Sequence, residues 1–233
     1  MDSSELVLIL KNTDAESMIN DLADSVAHGV IADPPWAYSR TGGEGSVGYS
    51  TEDAGWIADL LDLTWPKCLP NAYLIVWCTW PKLQDWMDVH RRMRWTYKTG
   101  GAWTKSNGFG VGYHHAGDSE YWLLYTKGSP RPAEGRQSNA VHANRVGHSE
   151  KPQEALDLLV RTVAPEGGLI IDPFAGESAS LARCAKRLGR SYIGSEMDAD
   201  RHATALKRLG GASRRDARRR NTTSMFDLMG EAK

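Results

Sequence analysis

From residue 150 onward the chain alternates without a break between amphipathic and apolar stretches, and this alternation constrains the fold more than any single motif. "KPQEALDLLVRTVA" spaces its apolar residues along one helical face, "GGLIIDPF" reads as a short strand and its turn, and "ESASLARCAKRLG" as a helix. "RSYIGSE" and "DADRHATALKRL" repeat the pattern as strand and helix. Strands exchanged in this way with helices predict a mostly parallel, doubly wound α/β sheet with helices on both faces.

The first half reads less regularly. "LVLIL" is a strand, and "DAESMINDLADS" a helix with Met18, Ile19 and Leu22 on one side. "HGVIA" is a buried strand ending at Asp33, followed by a glycine-rich loop, "YSRTGGEGSVGYS". A helix is expected over "DAGWIADLLDLTWPKCL", with Pro66 near its end. "AYLIVWCTW" is the most apolar stretch and predicts a central strand. A helix over about 82–93 comes next, then strands at "YKTGGAWTK" and "EYWLLYTKG". Residues 129–147 are polar and aperiodic, with Arg131, Arg136, Asn139, His142, Asn144 and Arg145, and read as an insertion rather than a core element. The tryptophans other than Trp36 read as mostly core, with Trp77 and Trp80 near the functional edge of the sheet.

At 233 residues and 41% apolar content the chain can bury one sizeable domain, placed here at 1–212, with a basic tail at 213–233. No apolar run is long enough to span a bilayer and the N-terminus is acidic, so a cytoplasmic protein with no membrane partner is expected. Cys68, Cys78 and Cys184 are far apart and lack CxxC spacing, which supports neither a disulfide framework nor a metal site. His114 and His115 are adjacent, an arrangement that does not favour a shared metal. Net charge is −1, yet residues 1–120 carry 9 basic against 16 acidic side chains and residues 121–233 carry 19 against 13. That split fits a polyanion approaching one side, and equally a solvated helix face or tail.

Two strand ends carry the candidate chemistry. In "LIIDPFAGES" an apolar strand delivers a glycine turn and then a helix, the arrangement by which α/β sheets take nucleotide-like ligands beyond their strand ends. Some twenty residues on, Glu196 closes "SYIGSE", where a carboxylate can accept ribose hydroxyls; a tight turn and a surface glutamate would look the same. In "GVIADPPWAY", Asp33 offers an acceptor for an amino group. Pro34 and Pro35 stiffen the backbone so that carbonyls point at one spot, and Trp36 offers a flat face for a base. An ordinary turn with a core tryptophan is the competing reading.

The "DPPW" at Asp33, Pro34, Pro35 and Trp36, followed downstream by "DPFAG", resembles the β-class amino methyltransferases. Their N6-adenine members, DNA and messenger-RNA enzymes alike, share the DPPW form. The resemblance covers about residues 8–209 and implies a Rossmann-like fold with a circularly permuted motif order. It implies S-adenosylmethionine as cofactor, with Asp14, Lys151, Asp172, Phe174, Gly176 and Glu196 around it. It also implies transfer of a methyl group to the amine of an adenine flipped out of DNA, with Trp36 and Tyr38 as stacking faces. Arg131, Arg136 and Arg145 are the candidates for holding the DNA. "GVGYHHAGDSEYWLLYTKG", "HSEKPQEALDLL" and "LGRSYIGSEMD" are similar to further family segments. After Gly176, however, Glu177, Ser178 and Ala179 replace the family's Gly-Ser-Gly-Thr-like run, and Glu177 is expected to face solvent at the helix start. DNA is the expected partner in a bacterial or phage-infected cell. RNA, or a catalytically silent nucleic-acid-binding role, are the alternatives, and a homodimer is compatible with the reading. "TTSMFDL" in the tail faintly resembles a sliding-clamp-binding peptide without its leading glutamine.

Overall fold

Strand residues that are apolar on both sides can be buried only between two layers of helices. The computed structural model describes residues 6–35, 53–108, 114–115, 117–147 and 150–210. The chain order is β1 (Leu8–Lys11), α1 (Ala15–Asn20), β2 (Ala27–Ala32), α2 (Ala54–Asp62), α3 (Thr64–Lys67), β3 (Cys68–Cys78), α4 (Trp80–Val89), β4 (Thr96–Lys105) and β5 (Ser119–Lys127). It continues through β6 (Ala140–Ala143), α5 (Gln153–Val163), β7 (Leu169–Asp172), α6 (Ser180–Arg187), β8 (Ser191–Ser195) and α7 (Ala199–Arg208). One eight-stranded sheet results, ordered β1-β8-β7-β2-β3-β5-β4-β6. All of its strands run in one direction except β5, which is antiparallel to both β3 and β4.

The two faces divide the strands residue by residue. Leu74, Val76, Leu169, Ile171 and Ile193 pack under α1, α2 and α4 with Met18, Ile57, Leu61 and Trp86. Their neighbours Tyr73, Ile75, Ile170 and Tyr192 pack under α5, α6 and α7 with Leu156, Val160, Leu181 and Ala205. Each large apolar side chain so buried contributes about 1.5–3 kcal/mol, so both layers are needed to hold the central strands. The expected doubly wound, mostly parallel sheet is the observed one.

Three expectations are corrected. The helix expected through Leu69 stops at Asp62 and resumes as the short α3, because Pro66 has no N–H to offer the carbonyl of Asp62. The central strand begins earlier, at Cys68, and ends at Cys78, so that Trp80 opens α4 and is 61% exposed, against the expectation of a mostly core set. Trp56 is also exposed, whereas Trp77, Trp86, Trp95, Trp103 and Trp122 are core residues. Finally, the polar stretch 129–147 is not wholly an insertion. Its residues 140–143 form β6 on the sheet edge, with Val141 and Ala143 buried. Four residues that are buried only on alternate positions are too short a pattern to stand out among polar neighbours.

Candidate active site

Because β1, β8, β7, β2 and β3 run parallel, their C-terminal ends lie together. Beyond them opens a cavity of about 1080 Å³. Asp33, Pro34 and Pro35 line it where β2 ends; Asp172, Phe174 and Gly176 line it beyond β7, and Glu196 beyond β8. The two motifs are 139 positions apart in sequence, from Asp33 to Asp172. They adjoin because β2 and β7 are hydrogen-bonded neighbours, with Val30 opposite Ile171.

Asp33 is held by a charge cluster. Lys151 Nζ donates to its Oδ2 at 2.5 Å and stands 3.2 Å from Glu120 Oε2; Lys105 lies 3.0 Å from the other Glu120 oxygen. The Lys151 side chain is 11% exposed and sits 5.1 Å above the Trp77 ring, while Asp33 keeps 38% of its side chain open. Burial alone would pull the Lys151 ammonium down, but the two carboxylates hold it above its ordinary value. Burial pushes the Asp33 carboxyl up; Lys151 opposes that rise and Glu120 adds to it. Glu120 stays below its usual range, since Lys151 and Lys105 outweigh its desolvation.

Glu120 was not among the residues singled out in the sequence. It reaches the cavity because β5 runs backwards, so that its beginning lies beside the end of β3, where Cys78 faces Tyr121. An acid at the mouth of an apolar strand resembles any strand boundary. Only the strand's direction makes it a site residue.

Across the cavity, Asp172 has a different role from Asp33. It is 3% exposed, accepts from the Tyr192 hydroxyl at 2.8 Å and from the Phe174 N–H at 3.2 Å. Burial raises its pKa to about 7 despite those bonds, and Asp33 and Glu196 add repulsion. Gly194 makes room for this contact: a side chain there would meet the Tyr192 hydroxyl at 2.2 Å. Gly176 has φ +61°, and a methyl group on it would meet no atom within 4 Å, so the turn presents bare backbone to the cavity. Glu177 is exposed, three positions ahead of α6. Ala179, the N-cap, takes a left-handed conformation at φ +45°.

Asp14 lines the cavity while capping α1: its carboxylate accepts from the Ser17 N–H and hydroxyl, each at 2.7 Å, and those bonds lower its pKa. Glu196 Oε1 accepts from the Asp198 N–H at 2.9 Å, which fixes the direction of the side chain. Among the expected nucleic-acid contacts, Arg145 follows β6 at the cavity end of the sheet, where its N–H donates to Asn107 at 2.6 Å. Arg131 stands at the other end. Its neighbour Pro130 accepts from the Tyr73 hydroxyl, and Ser129 bonds Asn71 near the start of β3. Arg136 follows in the same exposed segment, anchored there by Glu134, which pairs with Arg161 and the buried Arg190. The structure therefore groups Asp33, Pro34, Pro35, Asp14, Lys151, Asp172, Phe174, Gly176 and Glu196 about one cavity and leaves Arg131 and Arg136 away from it. Trp36, Tyr38 and the clamp-like tail peptide lie outside the described residues.

A family model described as DNA methylase matches residues 27–207. YubD of Escherichia coli (strain K12), provisionally named a methylase, is 23% identical over 192 residues, covering 79% of this chain and 82% of its own length. Among solved structures, the M1.HpyAVI complex with S-adenosylmethionine superposes with a TM-score of 0.68 at 18% identity, covering 87% of this chain and 99% of that one. TTHA0409 of Thermus thermophilus, titled as a DNA modification methylase complexed with S-adenosyl-L-methionine, gives 0.65 at 20% identity over 87% and 93%. The PvuII DNA methyltransferase, titled cytosine-N4-specific, gives 0.70 at 12% identity over 90% and 88%. At these identities the structural likenesses establish a shared fold.

Proposed function

As the chain belongs to the DNA methylase family, we propose that it is an S-adenosylmethionine-dependent DNA methyltransferase acting on the N6 amine of adenine. The observation that carries this reading is the shared cavity: a partly open carboxylate on a Pro-Pro turn faces the same space as a bare glycine turn and the Glu196 carboxylate. The residues present suit the cofactor. Gly176 leaves its backbone free for close approach, Glu196 can accept ribose hydroxyls, and Phe174 adds an apolar surface. S-adenosylmethionine supplies a methyl group already activated as a sulfonium.

The rest of the chemistry falls to placement. The adenine amine is a weak nucleophile because its lone pair is delocalised into the ring. Asp33 and the Pro34 carbonyl accept hydrogen bonds from its hydrogens and fix the nitrogen's direction, so that positioning and electrostatics replace a strong base. Asp33 stands outside its ordinary range through burial and can hold the proton that the methylated amine releases. An amine inside a duplex cannot reach a cavity at strand ends, so the base must leave the stack. The DPPW form of the turn favours adenine over cytosine as the target base.

The test is to incubate the purified protein with methyl-labelled S-adenosylmethionine and DNA, then digest to nucleosides. N6-methyladenine is the expected product. N4-methylcytosine in its place would reassign the base. No labelled nucleoside from duplexes, single strands or RNA would remove the enzyme reading and leave a nucleic-acid-binding role.

A further inference from the structure

Lys151 and the target amine compete for the same acceptor. In this structure Lys151 donates to Asp33 Oδ2 at 2.5 Å, whereas the proposed function requires that carboxylate to receive N–H groups of a base. The conflict grows during transfer, because the nitrogen gains positive charge. Two unit charges about 4 Å apart repel by about 4 kcal/mol at an effective dielectric of 20, more than a hydrogen bond returns.

Lys151 cannot simply withdraw. Its side chain is 11% exposed, and a buried ammonium stripped of its counter-charge costs several kcal/mol. It can leave Asp33 only by passing its charge to another carboxylate, and Glu120 Oε2 already stands 3.2 Å away. A flexible lysine stem makes that shift without backbone movement. The hold of Glu120 on Lys151 is in turn limited by Lys105, which claims Oε1 at 3.0 Å.

We infer that Glu120 is a positioning residue that draws Lys151 off Asp33 when the target amine arrives, with Lys105 setting how strongly it pulls. The inference rests on the amine-transfer reading and adds to it a second state of Lys151. Glu120 itself touches neither reacting atom. It decides whether Asp33 is available.

The test compares binding of two oligodeoxynucleotides by fluorescence anisotropy, in the presence of S-adenosylhomocysteine so that no methyl group is transferred. One carries adenine; the other carries purine, which is adenine without its exocyclic amine. The ratio of their dissociation constants reads the amine contact alone. Wild type should prefer adenine. Glu120→Gln should cut that preference roughly tenfold, the size of one charged hydrogen bond, because Lys151 then stays on Asp33. Lys105→Gln should raise the preference, because Glu120 then pulls harder. These opposite signs are what a merely structural role would not produce, and Lys105→Gln keeps the test decisive should Glu120→Gln not fold. Calorimetry with S-adenosylhomocysteine should give unchanged affinity in both variants. If neither variant alters the preference, or both lower it, the inference is overturned while the amine reading stands. If wild type does not distinguish adenine from purine, the amine reading itself fails.

Discussion

The molecule contains the same dipeptide twice, at the ends of neighbouring parallel strands, and uses it in opposite ways. Asp33-Pro34 follows β2 and Asp172-Pro173 ends β7. Asp33 keeps 38% of its side chain open and is bound by a mobile type of partner, a lysine. Asp172 is sealed, with Tyr192 on one oxygen and the turn's own Phe174 N–H on the other. The same residue pair is thus a reactive surface where its partner can move, and a bracket where its partners are rigid. What separates them is the neighbouring chain and not the motif.

The comparison is most directly broken at Asp33. Asp33→Ala should lower methyl transfer by on the order of 10²–10³-fold or more, the loss seen when a charge-stabilising contact is deleted from an active site, while calorimetry shows cofactor affinity kept. Full activity in that variant would place the chemistry elsewhere. At the other turn the loss should appear as stability. Tyr192→Phe leaves the buried Asp172 carboxylate without its hydroxyl donor, and should cost about 1–3 kcal/mol in urea unfolding at pH 8 with little change in turnover per folded molecule.

The raised pKa of Asp172 sharpens the contrast through pH. Its folded value of about 7 lies above its ordinary 3.8. The stability it contributes is therefore fully present below the ordinary value and lost as pH rises through the folded one. Between pH 5 and pH 8, wild type should lose stability relative to Asp172→Asn, which has no proton to give up; a constant difference across that range would contradict the assignment. The smallest effect is expected at Ser195, whose hydroxyl donates to the Pro173 carbonyl at 2.9 Å. Ser195→Ala should cost about 0.5–1.5 kcal/mol and leave transfer unaltered.

Much of this site was legible in the sequence because strands announce their own ends. Asp33, Gly176 and Glu196 each follow an apolar run, and a parallel sheet brings such ends together whatever their order in the chain. The unread part depended on pairing between distant segments. The sealing of Asp172 requires Tyr192, twenty residues on in sequence, and the gap that Gly194 leaves for its hydroxyl. Glu120 required knowing which way β5 runs. β6 is recognised as a strand only by the edge of β4 that it joins, and Arg131 was assigned to the nucleic acid on charge alone, which carries no direction.

The reversed strand has one further consequence. Side chains on β5 alternate between the two faces, so the hydrogen-bonding register that sets Tyr121 opposite Cys78 also decides which residue stands beside Lys151. A one-residue insertion or deletion accommodated by sliding β5 against β3 would replace an acid with an aromatic ring there, although every motif in the chain would read unchanged. The length of chain between β4 and β5 is in that sense as much a part of the active site as the residues that line it.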